Sequence, residues 1–374
     1  MSNAVIAAYR RSPFTPAHKG GLARVRPDDL AGQVCGTLLR DAGLDPSTLE
    51  DVLLGCAFPE AEQGLNLARM VGFLAGLPDT VAGATVNRFC GSSMQAIHTA
   101  AGSIAIGAGE AFLCGGVESM TRVPMTGFNP MPNPRLAAER PQVYTSMGET
   151  AEILAREFGI GRAAQEAFAL ASHEKAARAQ QVGALADELV AIESVTADEC
   201  IRPDTSLEGL AGLSPSFVAD GTVTAGTSSP VADGAAATLV CSREFAESNG
   251  LQPLATIVAT AVSGCAPERM GIGPVDASRK ALARAGIDLA DVDVIELNEA
   301  FAAQSLAVIQ ELAIDADRLN LDGGALALGH PLGASGARIA GKAAALLARQ
   351  GGRYALATMC VGGGQGIATV LKAS

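Results

Sequence analysis

The 374-residue sequence predicts an α/β protein made of two similar halves with a lobe inserted between them. The chain is 48% hydrophobic and has no Trp, yet it carries 43 Gly among Ala-rich segments. That composition suits helices packed closely on sheets and joined by short turns. The chain also matches itself at an offset of 243 residues, Ala42 falling on Ala285. Between the matching parts the sequence changes character, and a chain of this length is expected to form two or three domains.

Taken in order, residues 4–9 read as a first strand rather than as a charged start followed by an apolar secretion segment. No apolar run approaches the roughly 20 residues that a membrane helix needs. Ala42-Gly43-Leu44-Asp45 followed by Val52-Leu53-Leu54 reads as a helix end, a left-handed glycine and a buried strand. Ala285-Gly286-Ile287-Asp288 followed by Ile295-Glu296-Leu297 repeats it. The same register lays 109–113 on 352–356 and Ser92 on Ser335, which argues for an internal duplication. It sets Cys90 opposite Gly333 and Asn87 opposite His330, each in a loop that opens an Ala-rich helix. Two such helix starts would meet near one axis, and ligands of open α/β sheets gather at strand carboxyl ends. The expected halves are residues 1–119 with 231–250, and residues 251–374. The insert, 120–230, is Pro-rich at 124–141, carries a polar helix over 163–184 and is rich in turn residues at 202–217. It is placed to cover a site.

A net charge of −12 excludes a general nucleic-acid or anionic-membrane binder, which would need a broad positive field. A polyanionic small ligand can still bind locally. The eight cysteines are scattered without a CxxC pair, against a disulfide framework or a zinc site. Reduced thiols place the protein in the cytoplasm.

Four segments carry chemistry. Asn87-Arg88-Phe89-Cys90-Gly91-Ser92 opens a helix expected over 92–101, so Cys90 faces free amide groups and a positive helix end. Both would lower its pKa. Cys35, Cys56, Cys114, Cys241 and Cys265 read as small buried hydrophobes. Asn298-Glu299-Ala300-Phe301 follows a strand over 294–297, and Gly329-His330-Pro331 sets a histidine on a glycine-flanked turn. Cys360-Val361-Gly362-Gly363-Gly364 ends a strand over 354–359 and exposes amides suited to a developing oxyanion. No GxxxxGK[ST] or GxGxxG fingerprint is present, which argues against a nucleotide loop and an oxidoreductase.

Together with Gly115-Gly116-Val117-Glu118-Ser119-Met120 and Thr224-Ala225-Gly226, these motifs resemble the thiolase family over essentially the whole chain. The resemblance implies duplicated βαβαβαββ halves in a layered α/β/α/β/α core with an inserted loop domain. It implies that Cys90 becomes acylated, that His330 takes its proton, and that Cys360 protonates or deprotonates the acetyl-CoA carbon. His330 with a water on Asn298 would form one oxyanion hole, and the N–H groups of Cys90 and Gly362 the other. CoA is then a substrate, with no resident cofactor and no metal. Arg202 would lie near its adenine end, Ser229 near its pantetheine, and Met147, Met270 and Phe301 around the acyl group. A homodimer or homotetramer is expected.

Some positions depart from the family. Thr227 and Pro230 replace more usual residues after Thr-Ala-Gly, and Ser146 stands where acetoacetyl-CoA-forming members often carry histidine. With the stretch Arg202-Pro203-Asp204-Thr205-Ser206, this favours degradative thiolysis of 3-ketoacyl-CoA. The alternatives are an acetoacetyl-CoA-forming thiolase run toward condensation and a non-catalytic acyl-CoA carrier on the same scaffold. A ketoacyl synthase would be expected to use two histidines.

Overall fold

The computed structural model describes residues 3–374. Its strands are β1 (Ala4–Arg11), β2 (Thr15–Pro16), β3 (Asp51–Gly55), β4 (Ala82–Val86), β5 (Ala111–Ser119), β6 (Ala232–Ser242), β7 (Ala255–Gly264), β8 (Val294–Leu297), β9 (Tyr354–Val361) and β10 (Gln365–Ala373). The helices before the second half are α1 (Pro27–Ala42), α2 (Leu67–Leu74), α3 (Ser92–Ala105), α4 (Pro134–Glu139), α5 (Met147–Glu157), α6 (Arg162–Gln181), α7 (Leu207–Ala211) and α8 (Arg243–Ser248). The second half adds α9 (Gly273–Ala285), α10 (Ala302–Leu312), α11 (Ala325–Leu328) and α12 (Leu332–Gln350). The expected strands and helices lie within two to four residues of these bounds.

The strand order is β4-β3-β5-β6-β1-β7-β10-β9-β8, with β2 on the flank of β6. Within it β3-β5-β6-β1 repeats as β8-β9-β10-β7, parallel at the outer end and antiparallel toward the middle. The two repeats join edge to edge through Val5–Thr256 and Ile6–Ala255, extended by Leu254 N donating to Ile6 O at 2.8 Å. The offset read from the sequence is the structural register, since β5 begins at Ala111 and β9 at Tyr354. Gly43 and Gly286 both cap their helices in the left-handed region, at φ 63° and 69°.

The layers follow from which faces are apolar. Strands β5, β6 and β9 are buried on both faces and read as nearly continuous small and aliphatic runs. Helix α1 covers the outside of the first sheet and α9 that of the second, while α3 and α12 lie between the sheets. The central core holds Met94, Ile97, Ile339, Leu346, Met359 and Ile367. Elements α4 to α7 come from the inserted segment.

One strand of the second half is nearly lost. Where β4 pairs with β3, only Leu319 bridges to Ile295. The chain turns away at Asn320, whose φ is 44°. Its side chain takes over the ladder, accepting from Leu297 N at 3.0 Å and donating to Leu297 O at 2.9 Å. The freed segment then runs inward to His330.

The two central helices cross with almost no space between them. A Cβ on Gly336 would sit 2.4 Å from the Met94 nitrogen, and Ser93 Oγ accepts from Ala337 N at 2.8 Å. Ser93 and Gly336 are 243 positions apart, so the crossing lies on the axis of the duplication. Gly336→Ala should therefore lower unfolding stability by about 1–3 kcal/mol through overpacking. In Gly102→Ala the new methyl meets nothing within 4 Å, so stability should hold or rise by about 0.5–1 kcal/mol. Urea unfolding curves compare them, and equal losses would contradict the crossing.

Candidate active site

The first site loop is built at the start of α3. Phe89 sits at φ 42°, which turns the chain so that Cys90 points inward while Phe89 remains 39% exposed. Asn87 holds the turn, donating to Ala57 O at 3.0 Å and accepting from Phe89 N at 2.8 Å. Gly91 lies so close to Val361 and Ile367 that a Cβ would come within 2.9 Å and 3.0 Å of their methyl groups. The Cys90 loop of one half is thus seated on the β9–β10 end of the other.

Burial decides the state of the thiol. Cys90 is 3% exposed, and its pKa is pushed up to about 11 because desolvation outweighs the N–H groups of Gly362 and of Cys90 itself, which stabilise the thiolate. The lowering expected from the helix start is present as these amide contacts but does not prevail. Cys360, fully buried and near enough to feel the charge of Cys90, is raised further, burial again leading. Both thiols rest protonated, so a base must act on them.

His330 has the properties of that base. It is buried, and desolvation, helped by Arg338, lowers its pKa to about 3, so the imidazole is neutral. Its Nδ1 lies 2.6 Å from Ser335 Oγ, which itself donates to Pro331 O at 2.9 Å. A hydroxyl has one proton to give, so Nδ1–H is the donor and Nε2 carries the free lone pair. Asn298 Nδ2 lies 3.3 Å from Nε2, while Asn298 Oδ1 has no partner among the described residues. Such a buried acceptor is suited to hold a water.

The remaining predicted residues fall into two groups. Met270, Phe301 and Cys360 share one apolar cluster against which Met147 packs. Phe217, which the sequence did not single out, closes it by meeting the Phe301 ring edge-on at 5.8 Å. Ser229 is brought to the same place, its N donating to Ala300 O at 3.0 Å, and Pro230 O accepts from His330 N at 3.3 Å. Arg202 stands apart. It is exposed and held through its backbone, its N donating to His173 Nδ1 at 3.2 Å and its O accepting from Thr205 N at 3.2 Å and Thr205 Oγ1 at 2.8 Å, and it connects to the site through Cys200, which abuts Gly329.

The model of the thiolase N-terminal domain matches residues 4–244, and that of the thiolase C-terminal domain matches residues 251–373. The chain belongs to the thiolase family. It is 46% identical over 389 residues to a 3-ketoacyl-CoA thiolase of Bacillus subtilis (strain 168), covering 100% of both chains. It is 48% identical to one of Pseudoalteromonas translucida (strain TAC 125), covering 100% of this chain and 99% of the other. Among solved structures, human mitochondrial 3-ketoacyl-CoA thiolase superposes with a TM-score of 0.92 at 38% identity, over 99% of this chain and 98% of that one. Bacillus anthracis acetyl-CoA acetyltransferase gives 0.92 at 39% identity, over 100% and 99%.

Within this thiolase, two buried carboxylates that the sequence reading passed over hold the loops. Glu118 accepts from Ala57 N, Phe58 N, Gln63 Nε2 and Gly333 N, tying the start of α12 to the first half. Glu299 accepts from Ser172 Oγ, Asn320 Nδ2 and Leu326 N, tying the insert to the segment before His330. Their signal was present, since each is an acid inside a motif of otherwise small or apolar residues. The departures from the family also find local roles. Ser146 caps α5 in a reciprocal pair with Glu149, and Thr227 caps the turn that starts at Thr224.

Buried neutral histidines leave a mark on stability. His98, His173 and His330 are lowered from 6.5 to about 3, 4 and 3, with burial the leading cause. A native pKa below the unfolded one means that the unfolded chain binds the proton first. Stability that is full above about pH 6.5 is therefore lost as pH falls toward 3, by about 2 kcal/mol per fully buried histidine at pH 5. Glu296, raised to about 7 by burial, works in the opposite sense and offsets one of them. Between pH 7 and pH 5, His98→Gln should lose about 2 kcal/mol less than wild type in urea unfolding. Parallel curves for the two would show that His98 is not neutral in the fold.

Proposed function

We propose that this chain is a 3-ketoacyl-CoA thiolase that splits its substrate with CoA through an acyl group carried on Cys90. The supporting observation is the joining, across the two halves, of two protonated buried thiols with a neutral imidazole and an amide N–H aimed at the first thiol. A buried thiol cannot ionise alone, so proton transfer to His330 Nε2 accompanies attack of Cys90 Sγ on the keto carbon. The oxygen that becomes negative is held by the N–H groups of Cys90 and Gly362. The carbon–carbon bond then breaks, and its electron pair passes to the acetyl-CoA fragment, stabilised by His330 and the water held on Asn298. Cys360 gives that carbon its proton. CoA next attacks the Cys90 thioester, its thiol proton is returned to the enzyme, and the shortened acyl-CoA leaves.

CoA is thus a substrate and not a resident group. The human mitochondrial thiolase has been solved with CoA, and that structure superposes with a TM-score of 0.91 over 99% of this chain. Arg202 is an exposed cation on an acidic protein, suited to a phosphate. Ser229, beside Ala300, is placed for the pantetheine, and Met147, Met270 and Phe301 for the acyl chain. Residues 120–230 act as the covering lobe, with 1–119 plus 231–250 and 251–374 as the halves. A homodimer or homotetramer is the proposed assembly. The eight cysteines are all unpaired, which fits the reducing cytoplasm.

A second reading, condensation of two acetyl-CoA molecules, is favoured by the equal superposition on an acetyl-CoA acetyltransferase. The two are separated by following loss of 3-ketoacyl-CoA absorbance on adding CoA, for acetoacetyl-CoA and a longer homologue. Degradation predicts a rate on the longer substrate at least equal to that on acetoacetyl-CoA. Cys90→Ala and Cys360→Ala should each lose at least about a thousandfold in kcat. Wild type that binds acyl-CoA and cleaves neither substrate would point to the carrier instead.

A further inference from the structure

The amide of Gly362 must stay aimed at Cys90, yet it belongs to a turn with little of its own to hold it. Residues 362–364 are all glycine, and Gly363 and Gly364 lie at φ 79° and 83°, so no side chain limits the turn from within. Beside the pairing of Val361 with Gln365 and the bond from Cys265 N to Gly364 O at 2.8 Å, two side chains restrain it. Gln365 Nε2 donates to Gly362 O at 3.1 Å, and Gln365 Oε1 accepts from Arg88 Nη1 at 2.8 Å. The same guanidinium donates through Nε to Gln95 Oε1 at 2.9 Å, on the helix that Cys90 precedes.

This line of hydrogen bonds starts on α3, passes through Arg88 two residues before the nucleophile, and ends on the residue whose N–H faces the sulfur. Its charge partners are telling. Arg88 is half-buried and makes no ion pair among the described residues, its two side-chain contacts being neutral amides. A guanidinium can only donate, so the Gln365 amide turns its oxygen toward Arg88 and leaves its NH2 group for Gly362 O. From this geometry we propose that Arg88 and Gln365 are positioning residues that clamp the Gly362 turn of the second half to the Cys90 loop of the first, setting the hole that receives the developing oxyanion. The inference rests on the proposed thiolase reading.

Four variants test it: Arg88→Lys, Gln365→Ala, Gln365→Glu and the pair Arg88→Lys/Gln365→Ala. Lysine keeps the charge without the two-point fork. Glutamate keeps an acceptor for Arg88 but has no N–H for Gly362. Each single variant should lower kcat roughly tenfold to a hundredfold with KM within about twofold, as expected when an interaction acts in the transition state. The double variant should be no worse than the poorer single one, because both changes break one chain of contacts. Alkylation of Cys90 by iodoacetamide, read on its own peptide without any substrate, should slow by about threefold or more in each single variant. This last measurement separates the clamp from the reaction assigned to the site, since it holds whether or not 3-ketoacyl-CoA is cleaved. Wild-type kcat in Gln365→Glu, losses that multiply in the double variant, or an unchanged alkylation rate would each overturn the clamp.

Discussion

The close crossing of α3 and α12 is the constraint on which the rest of the molecule depends. Each helix begins beside a reactive loop, Cys90 before one and His330 before the other, so the distance between helices sets the distance between those loops. Glycine at 336 and at 116 allows the approach, the latter lying against Gly333 O where a Cβ would come to 2.0 Å. The edge-to-edge join of the sheets is short, and the shared core around the two helices supplies the apolar area that holds the halves together. Site and core are therefore one packing problem, and a change that loosens the crossing loosens the chemistry.

Placing the site at such a crossing makes it dry, with electrostatic consequences. Desolvation keeps both thiols protonated and the histidine neutral, which removes charges that would otherwise require buried counterions. On the proposed reading, the price is a nucleophile that is inert until a proton acceptor and an oxyanion hole act together. Glu118 sharpens this state. It is buried, accepts four N–H groups around the site, and its charge further disfavours a thiolate at Cys90. Reactivity is thereby tied to a bound substrate rather than to the resting enzyme, which protects a thiol close to the surface loops from adventitious chemistry.

Much of this could be read in the sequence because duplication leaves a periodic trace. The glycine caps at 43 and 286 and the strand starts at 111 and 354 repeat at one offset, and left-handed glycines are demanded by backbone geometry rather than by context. Cys90, His330 and Cys360 stood out for a similar reason, Cys90 lying between a strand and a helix, Cys360 at a strand end and His330 on the turn before a helix. What the sequence did not reveal depends on contacts far apart in the chain. The thiol pKa was read from the helix start, a local feature, whereas burial by the other half decides it. The loss of a strand at Asn320 and the roles of Glu118, Glu299 and Phe217 likewise arise from partners beyond the reach of local sequence, 23 residues away for Asn320 and Leu297 and 215 for Glu118 and Gly333. Arg202 was legible only as a loose cation, and its exposure leaves it so in the fold.

The central claim is that Cys90, and not Cys360, carries the acyl group. The direct measurement is to mix the protein with a 3-ketoacyl-CoA in the absence of free CoA, quench, digest and locate the added acyl mass. The account predicts a shortened acyl group on the peptide containing Cys90, released on addition of CoA. Acyl mass on the peptide containing Cys360, or steady turnover with CoA but no covalent acyl protein under these conditions, would contradict it.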